Sequence, residues 1–319
     1  MKIAYIILAH RYPEQLIRLV LRLHTESTSL FIHINKRTDD KIYHQVVSGL
    51  SHLPNVYFLK RHPVAWGNFG HTNASIEGIK EVFAKNISFD WLFLLTGQDY
   101  PIKSNRQIEN FLRKNEGKVF LDYIDFQVPP DGGWATSGSD RIDYWHFSFL
   151  DQLRFVFPAQ LTTNAYNRYV KSHKAWFSFA AFFWSVLIAF FPIKRKFPDG
   201  FTPFRGSSYW CFPRDCVEYI HDFIQHNRDF VNFFKYVDCP DEIFFQTLIL
   251  NSKFKERVSL GNLHYIDWDN PNPSSPRVFV TTDFKRLAES SKLFARKFDI
   301  TRDADIFDMI DQKILNEAR

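Results

Sequence analysis

Three groups of side chains in this 319-residue chain have the types and spacing to do chemistry. The first is Cys239-Pro240-Asp241-Glu242, two adjacent carboxylates directly ahead of the apolar run Ile243-Phe244-Phe245. Acids are favoured at helix starts, where open amides and the helix dipole attract negative charge. If one acid of the pair caps, the other is left to face a cleft as a general base, provided burial offsets the pKa lowering that a helix start imposes. The second group is cationic. Arg277 precedes Val278-Phe279-Val280, and Lys297 lies within Phe294-Ala295-Arg296-Lys297-Phe298-Asp299. Two cations converging on one place stabilise a leaving diphosphate as a metal would; on spacing alone they read as two solvated surface charges. The third group comprises two Asp-x-Asp pairs, Asp267-Trp268-Asp269 and Asp303-Ala304-Asp305. Both fall late, outside the alternating first half where such a motif normally follows a strand, and the second sits at a helix start, so both read mainly as structural.

Other chemistries lack their anchors. There is no P-loop and no GxGxxG, and Gly67-Asn68-Phe69-Gly70 is only a lone glycine pair, which argues against a dehydrogenase. No GxSxG is present. The histidines have no HExxH spacing. Cys211, Cys216 and Cys239 form neither a disulfide framework nor a zinc motif, and Cys211 and Cys216 read as buried thiols.

The elements that must position these groups follow from periodicity. Strands are expected at Ile3–Ala9, Leu30–Ile34, Val56–Leu59, Trp91–Leu95 and Lys118–Ile124. Helices are expected at Pro13–His24, Asp39–Leu53, Asn73–Ala84 and Asn105–Lys114. This alternation predicts an α/β fold with a parallel sheet covered on both faces and ligands at the carboxyl ends of its strands. Those ends carry His10, His33-Ile34-Asn35 and Gly97-Gln98-Asp99. Residues 126–205 read as an insertion between a nucleotide-binding half (1–125) and a catalytic half (206–319) of one domain. Beyond it, strands are expected at Ser207–Phe212, Val278–Val280 and His264–Trp268. Helices are expected at Asp215–His226, Asp241–Asn251 (capped by Asp238 or Asp241), Asp283–Leu293 and Asp305–Leu315.

Composition bounds the function. With 45% hydrophobic and 24% charged residues, a large core is available and disorder is excluded. A net charge of +5 suits a polyanionic substrate or an anionic membrane surface and is too small to argue for nucleic acid. Residues 175–191 form 17 uncharged residues flanked by Lys171, Lys174 and Lys194-Arg195-Lys196. A buried helix and a monotopic interfacial helix are both open readings. A true span is disfavoured, because basic residues at both ends give no inside/outside asymmetry. Ile3–Ala9 runs into His10 and Pro13 without a cleavage site, so a buried strand is expected rather than a signal peptide. The expected place is the cytoplasm, peripheral to the inner face of the cell membrane.

Seven segments carry a resemblance. They are Ile3–His10, Ile32–Arg37, Trp66–Phe69, Leu95–Lys103, Gly206–Trp210, Pro240–Glu242 and Leu293–Asp299. In this order they resemble the core-2/I-branching enzymes, the β-1,6-N-acetylglucosaminyltransferases and peptide O-xylosyltransferases grouped as glycosyltransferase family 14. The resemblance implies a GT-A-like fold and inverting transfer from a UDP-sugar, GlcNAc first and xylose second, to a glycan acceptor, with no metal cofactor. It implies Glu242 as general base and Arg277 with Lys297 on the donor diphosphate. His10, Asn35, Arg37, Trp66 and Asp99 fall with the donor nucleoside and sugar, and Trp210 and Trp268 with the acceptor. Where the family usually has an Asp on the uracil this chain has Asn35, whose amide offers both donor and acceptor. A lipid-linked acceptor would account for 175–191. The rival readings are a non-catalytic nucleotide- or glycan-binding scaffold on the same fold and a plain membrane-surface adaptor.

Overall fold

The structure, a computed structural model, describes residues 1–126, 138–149, 153–157, 194–269 and 275–316. The apolar run 175–191 lies outside them. In the first half the strands are β1 (Ile3–Ala9), β2 (Thr28–Ile34), β3 (Val56–Phe58), β4 (Trp91–Thr96), β5 (Asp99–Pro101), β6 (Val119–Leu121) and β7 (Ile124–Asp125). They are followed by β8 (Trp145–Phe149), β9 (Leu153–Phe157), β10 (Phe204–Arg205), β11 (Trp210–Pro213), β12 (Val258–Leu260), β13 (His264–Ile266) and β14 (Phe294–Arg296).

Seven strands form the central sheet in the order β12-β6-β11-β4-β1-β2-β3. All neighbours pair parallel except β11, which runs antiparallel to both β6 and β4. The mostly parallel sheet expected from strand–helix alternation is therefore present, and its strands come from both halves of the chain. Side chains alternate across a strand, and the two faces of β1 show it. Ala4, Ile6 and Leu8 join one apolar core, while Ile3, Tyr5, Ile7 and Ala9 join the other. Helices Gly70–Ala84, Arg214–His226 and Phe244–Leu250 supply the first core. Helices Pro13–Leu23, Asn105–Lys114 and Asp305–Ile310 contribute to the second. Burial of β1 on both faces explains why its sequence reads as a continuous apolar run.

Local chemistry sets the boundaries. Helix Asn105–Lys114 starts where expected because Ser104 and Gln107 form a reciprocal capping box. Other expectations are corrected. The expected helix Asp241–Asn251 is two pieces, a 3₁₀ turn Pro240–Glu242 and a helix Phe244–Leu250, with Ile243 between them out of helical geometry. Neither Asp238 nor Asp241 caps it; Asp241 Oδ2 accepts from the Ser208 hydroxyl at 2.7 Å instead. Val278–Val280 is not a strand: Phe279 N–H donates to Lys297 O from an extended segment. The expected helix Asp283–Leu293 spans only Phe284–Glu289, and residues just beyond it enter β14, which pairs with β13 and β5.

Candidate active site

Parallel register brings the carboxyl ends of β1, β2 and β4 to one edge, with Leu8 beside both His33 and Thr96. Because β11 runs the other way, the chain entering it, Gly206–Tyr209, reaches the same edge. Gly206 is required there. A Cβ on it would lie 2.0 Å from Asp122 O, and its N–H donates to Glu242 O at 2.8 Å. That bond sets the 3₁₀ turn Pro240–Glu242 against the sheet edge. On its other side Cys239 N–H donates to Gly67 O at 2.9 Å, so the loop bearing Trp66 closes over the turn.

Glu242 has the most informative environment. Its Oε2 accepts from Arg141 Nη1 at 2.8 Å, and a third of its side chain is exposed. Desolvation by the surrounding protein, followed by the charge of Asp241, raises its pKa to about 7, against the pull of Arg141. Asp241 is engaged by the Ser208 hydroxyl and lies 3.5 Å from His71 Nδ1. Both carboxylates thus have partners, and Glu242, a third exposed, has a pKa suited to taking a proton near neutrality. Arg141 was not singled out in the sequence, because it precedes the Pro-Asp-Glu turn by about a hundred residues.

A cationic cluster lies at the ends of β1 and β14. His10 opens to solvent on one side of the cleft. Desolvation on its other sides and the charges of Arg11, Arg296 and Lys297 lower its pKa to about 4, so its imidazole is neutral at pH 7. Desolvation and the charges of Arg296 and Arg11 lower the pKa of Lys297, whose Nζ donates to Ser275 Oγ at 3.0 Å.

The remaining expected residues divide. Trp66 and Trp268 are exposed, at 71% and 59% of their surface. Arg37 is exposed beside Asn35. Asn35 turns its amide on the chain: Nδ2 donates to Val64 O at 2.7 Å, and Oδ1 accepts from Val64 N–H and Arg37 N–H. This pairing mimics a backbone ladder and leaves one N–H for a ligand. Trp210 is not at the cleft. It is 2% exposed and stacked on Phe212 at 4.5 Å in the core, because its β11 position faces the helices. Asp99 is fully buried and its oxygens are taken by Thr96 N–H, Thr96 Oγ1 and Arg296 Nη1, with His264 Nε2 at 3.5 Å. Burial alone would raise its pKa; His264, Arg296 and the Thr96 amide outweigh it and lower it. Its carboxylate holds Arg296 in place and does not reach the cleft.

Arg277 also differs from expectation. Its Nε is 3.0 Å from Asp267 Oδ2, its Nη2 bonds Asp283 Oδ1, and Arg286 bonds the same two carboxylates. Asp267, the first acid of one Asp-x-Asp pair, is thereby neutralised. Asp303, the first acid of the other, accepts the Thr281 and Ile306 amides. Among the described residues no three His, Cys, Asp or Glu side chains gather as a metal site, and no helix is long and apolar enough to cross a membrane.

A family model described as the Core-2/I-Branching enzyme matches residues 3–139 and 160–288, and the chain belongs to that family. It is 25% identical to xylosyltransferase 2 of Rattus norvegicus over 97% of this chain and 33% of that protein. It is 33% identical to a beta-glucuronosyltransferase of Arabidopsis thaliana over 38% of this chain and 28% of that protein. The chain therefore spans about a third of the length of the curated relatives it matches. Among solved structures, the galactosyltransferase LgtC, in complex with donor and acceptor sugar analogs, aligns over 99% of this chain and 97% of its own. The identity is 10% and the TM-score 0.39.

Proposed function

We propose that this protein is an inverting glycosyltransferase that moves a sugar from a UDP-sugar to an acceptor hydroxyl of a glycan. The observation that carries this reading is Glu242, a partly exposed carboxylate on the turn tied to the sheet edge through Gly206, whose pKa of about 7 suits a general base. The acceptor oxygen attacks the anomeric carbon from the face opposite the diphosphate, and its proton passes to Glu242. The bond from the anomeric carbon to the diphosphate oxygen breaks, and its electron pair stays on that oxygen. One base suffices, because the leaving group departs as a stabilised anion; glycosidases generally need two carboxylates.

Lys297 supplies positive charge to the leaving diphosphate, and we propose that no metal ion is required, which the engagement of Asp267 and Asp303, the first acid of each Asp-x-Asp pair, by protein partners supports. Trp66 and Trp268 offer exposed rings for the donor and acceptor sugars. Relatives matched over nearly the whole chain are named xylosyltransferases, which favours UDP-xylose over the UDP-GlcNAc expected from sequence. The proposed place is the cytoplasmic membrane face, with contact through 175–191 to a lipid-linked acceptor.

The test is UDP release by the purified chain with UDP-xylose, UDP-GlcNAc, UDP-GlcA and UDP-Glc, each with candidate acceptors. Glu242→Gln should lose about 10²–10⁴ in rate while keeping UDP affinity. Full activity in a folded Glu242→Gln protein would remove the base. UDP binding with no turnover of any donor would favour the scaffold.

A further inference from the structure

The donor of the proposed reaction has three parts in line, sugar, diphosphate and nucleoside, and the sheet edge offers three places in the same order. The strands there run β11-β4-β1-β2. Beside β11, Gly206 N–H donates to Glu242 O and holds the turn that carries the base. In the middle, Phe298 N–H donates to Gln98 O just past β4, and the charge of the adjoining Lys297 reaches His10 at the end of β1. At the far end the loop 35–38 leaves β2, and Thr38 Oγ1 donates to His10 O at 2.9 Å. Ligands bind outside the carboxyl ends of strands in such sheets, so the nucleoside falls to this loop.

One side chain from elsewhere shapes the loop. Arg61, in the segment after β3, donates through Nη2 to Asn35 O at 3.2 Å, Lys36 O at 3.2 Å and Thr38 O at 2.8 Å. Its Nη1 donates to Asp40 Oδ1 at 2.7 Å, and its guanidinium lies 4.4 Å from the centre of the Tyr43 ring. The Arg61 side chain is 13% exposed, against 78% for Asp40. Its Nε is buried with no hydrogen-bond partner, which is costly for a charged donor. The fork is thus aimed at the carbonyls rather than at full pairing of its own donors. Three carbonyl dipoles converging on one point repel each other unless a cation stands between them.

The rest of the loop is closed as well. The amides of Asn35, Lys36 and Thr38 donate to Ala9 O, His62 O and Asn35 O, and that of Arg37 to Asn35 Oδ1. Asn35 and Val64 exchange two further bonds, so the segment bearing Arg61 is locked to the loop at both ends. The second Asn35 Nδ2–H is left for a ligand.

We infer that Arg61 is a positioning residue for the donor nucleoside: it holds loop 35–38 in the shape that receives the nucleoside without touching it. The inference rests on the nucleotide-sugar reading above. A loop released from Arg61 samples other shapes, and apparent affinity falls by the fraction of time the binding shape is lost.

The test is calorimetric titration of the full chain with UDP and inorganic pyrophosphate, using Arg61→Gln, Arg61→Lys and Asp40→Asn, with thermal melts on each variant. Arg61→Gln should weaken UDP by about ten- to a hundredfold and leave pyrophosphate within about threefold. In a transfer assay KM for the donor should rise with kcat held, as when binding is lost equally from ground and transition states. Arg61→Lys keeps a cation without the fork and should show the same split at smaller size; it carries the test if Arg61→Gln does not fold. Asp40→Asn removes only an exposed ion pair and should leave UDP within about threefold. Unchanged UDP affinity in a folded Arg61→Gln protein overturns the inference, and the donor reading then stands alone. Equal loss of UDP and pyrophosphate overturns it too, because the whole edge has then been disturbed. A loss in Asp40→Asn as large as in Arg61→Gln would assign the effect to the ion pair instead. A wild type that binds UDP no better than pyrophosphate refutes the donor reading and this inference with it.

Discussion

Arg141→Gln should move the acid limb of the rate profile upward without destroying the enzyme. Arg141 Nη1 lies 2.8 Å from Glu242 Oε2 and favours the ionised carboxylate, so removing the cation must raise the carboxyl pKa above its present value of about 7. A hydrogen bond to a charged group contributes about 1.5–3 kcal/mol, and one pKa unit corresponds to about 1.36 kcal/mol. The pair therefore holds the pKa down by about one to two units. A third of the Glu242 side chain is exposed, and solvent screening favours the lower figure, placing the variant near pH 8. The assay is kcat/KM for UDP release, measured with acceptor from pH 5.5 to 9.5. At pH 6 the variant should be about tenfold slower than wild type, and by pH 9 the two should converge. Asp241→Asn gives the opposite sign, because the Asp241 charge raises the Glu242 pKa; its acid limb should move down. A uniform loss at every pH in Arg141→Gln, with the apparent pKa unmoved, would refute the argument and reduce Arg141 to a packing residue.

Three further outcomes follow from the buried partners. Trp210→Ala should destabilise the fold by about 3–5 kcal/mol, the range for a buried Trp, whereas Trp268→Ala should stay within about 0.5 kcal/mol, as for an exposed site; chemical denaturation separates them, and equal losses would put Trp210 back at the surface. Asp99→Asn should cost about 3 kcal/mol, as when one partner of a buried ion pair is removed. Because the folded pKa of Asp99 is lowered, its contribution is fully present above the unfolded value near 4 and is lost as pH falls through the folded value, so wild type and variant should converge in acid melts. EDTA should leave UDP release unchanged, and an EDTA loss restored by manganese would end the metal-free proposal.

The sheet was legible because burial on both faces makes β1 and β4 unbroken apolar runs with helices between them. Helix Asn105–Lys114 was legible to the residue because its start is written locally, in Ser104 and Gln107. Strands β5, β12 and β14 were missed because they are set by the strands they pair with rather than by a local apolar run. The break at Ile243 was hidden for a related reason. The apolar run continues through it, and the 3₁₀ turn before it is tied by Gly206 and Gly67, which are remote in sequence.

The site was legible in its residue types and much less so in their roles. A motif names a side chain, but its role depends on what else competes for it. Trp210 and Trp268 are the same residue type, but Trp210 lies in β11 with its ring turned to the core, whereas Trp268 lies just past the end of β13 and stays in solvent. Arg277 and Arg11 differ in the same way. Arg277 is ion-paired because Asp267, ten residues before it, and Asp283, six after, fold back on it. Arg11 bonds the Gln98 side-chain amide and forms no ion pair among the described residues, with Lys297 and Asp299 both within electrostatic reach. Charge compensation is a sum over partners that meet only in the folded chain.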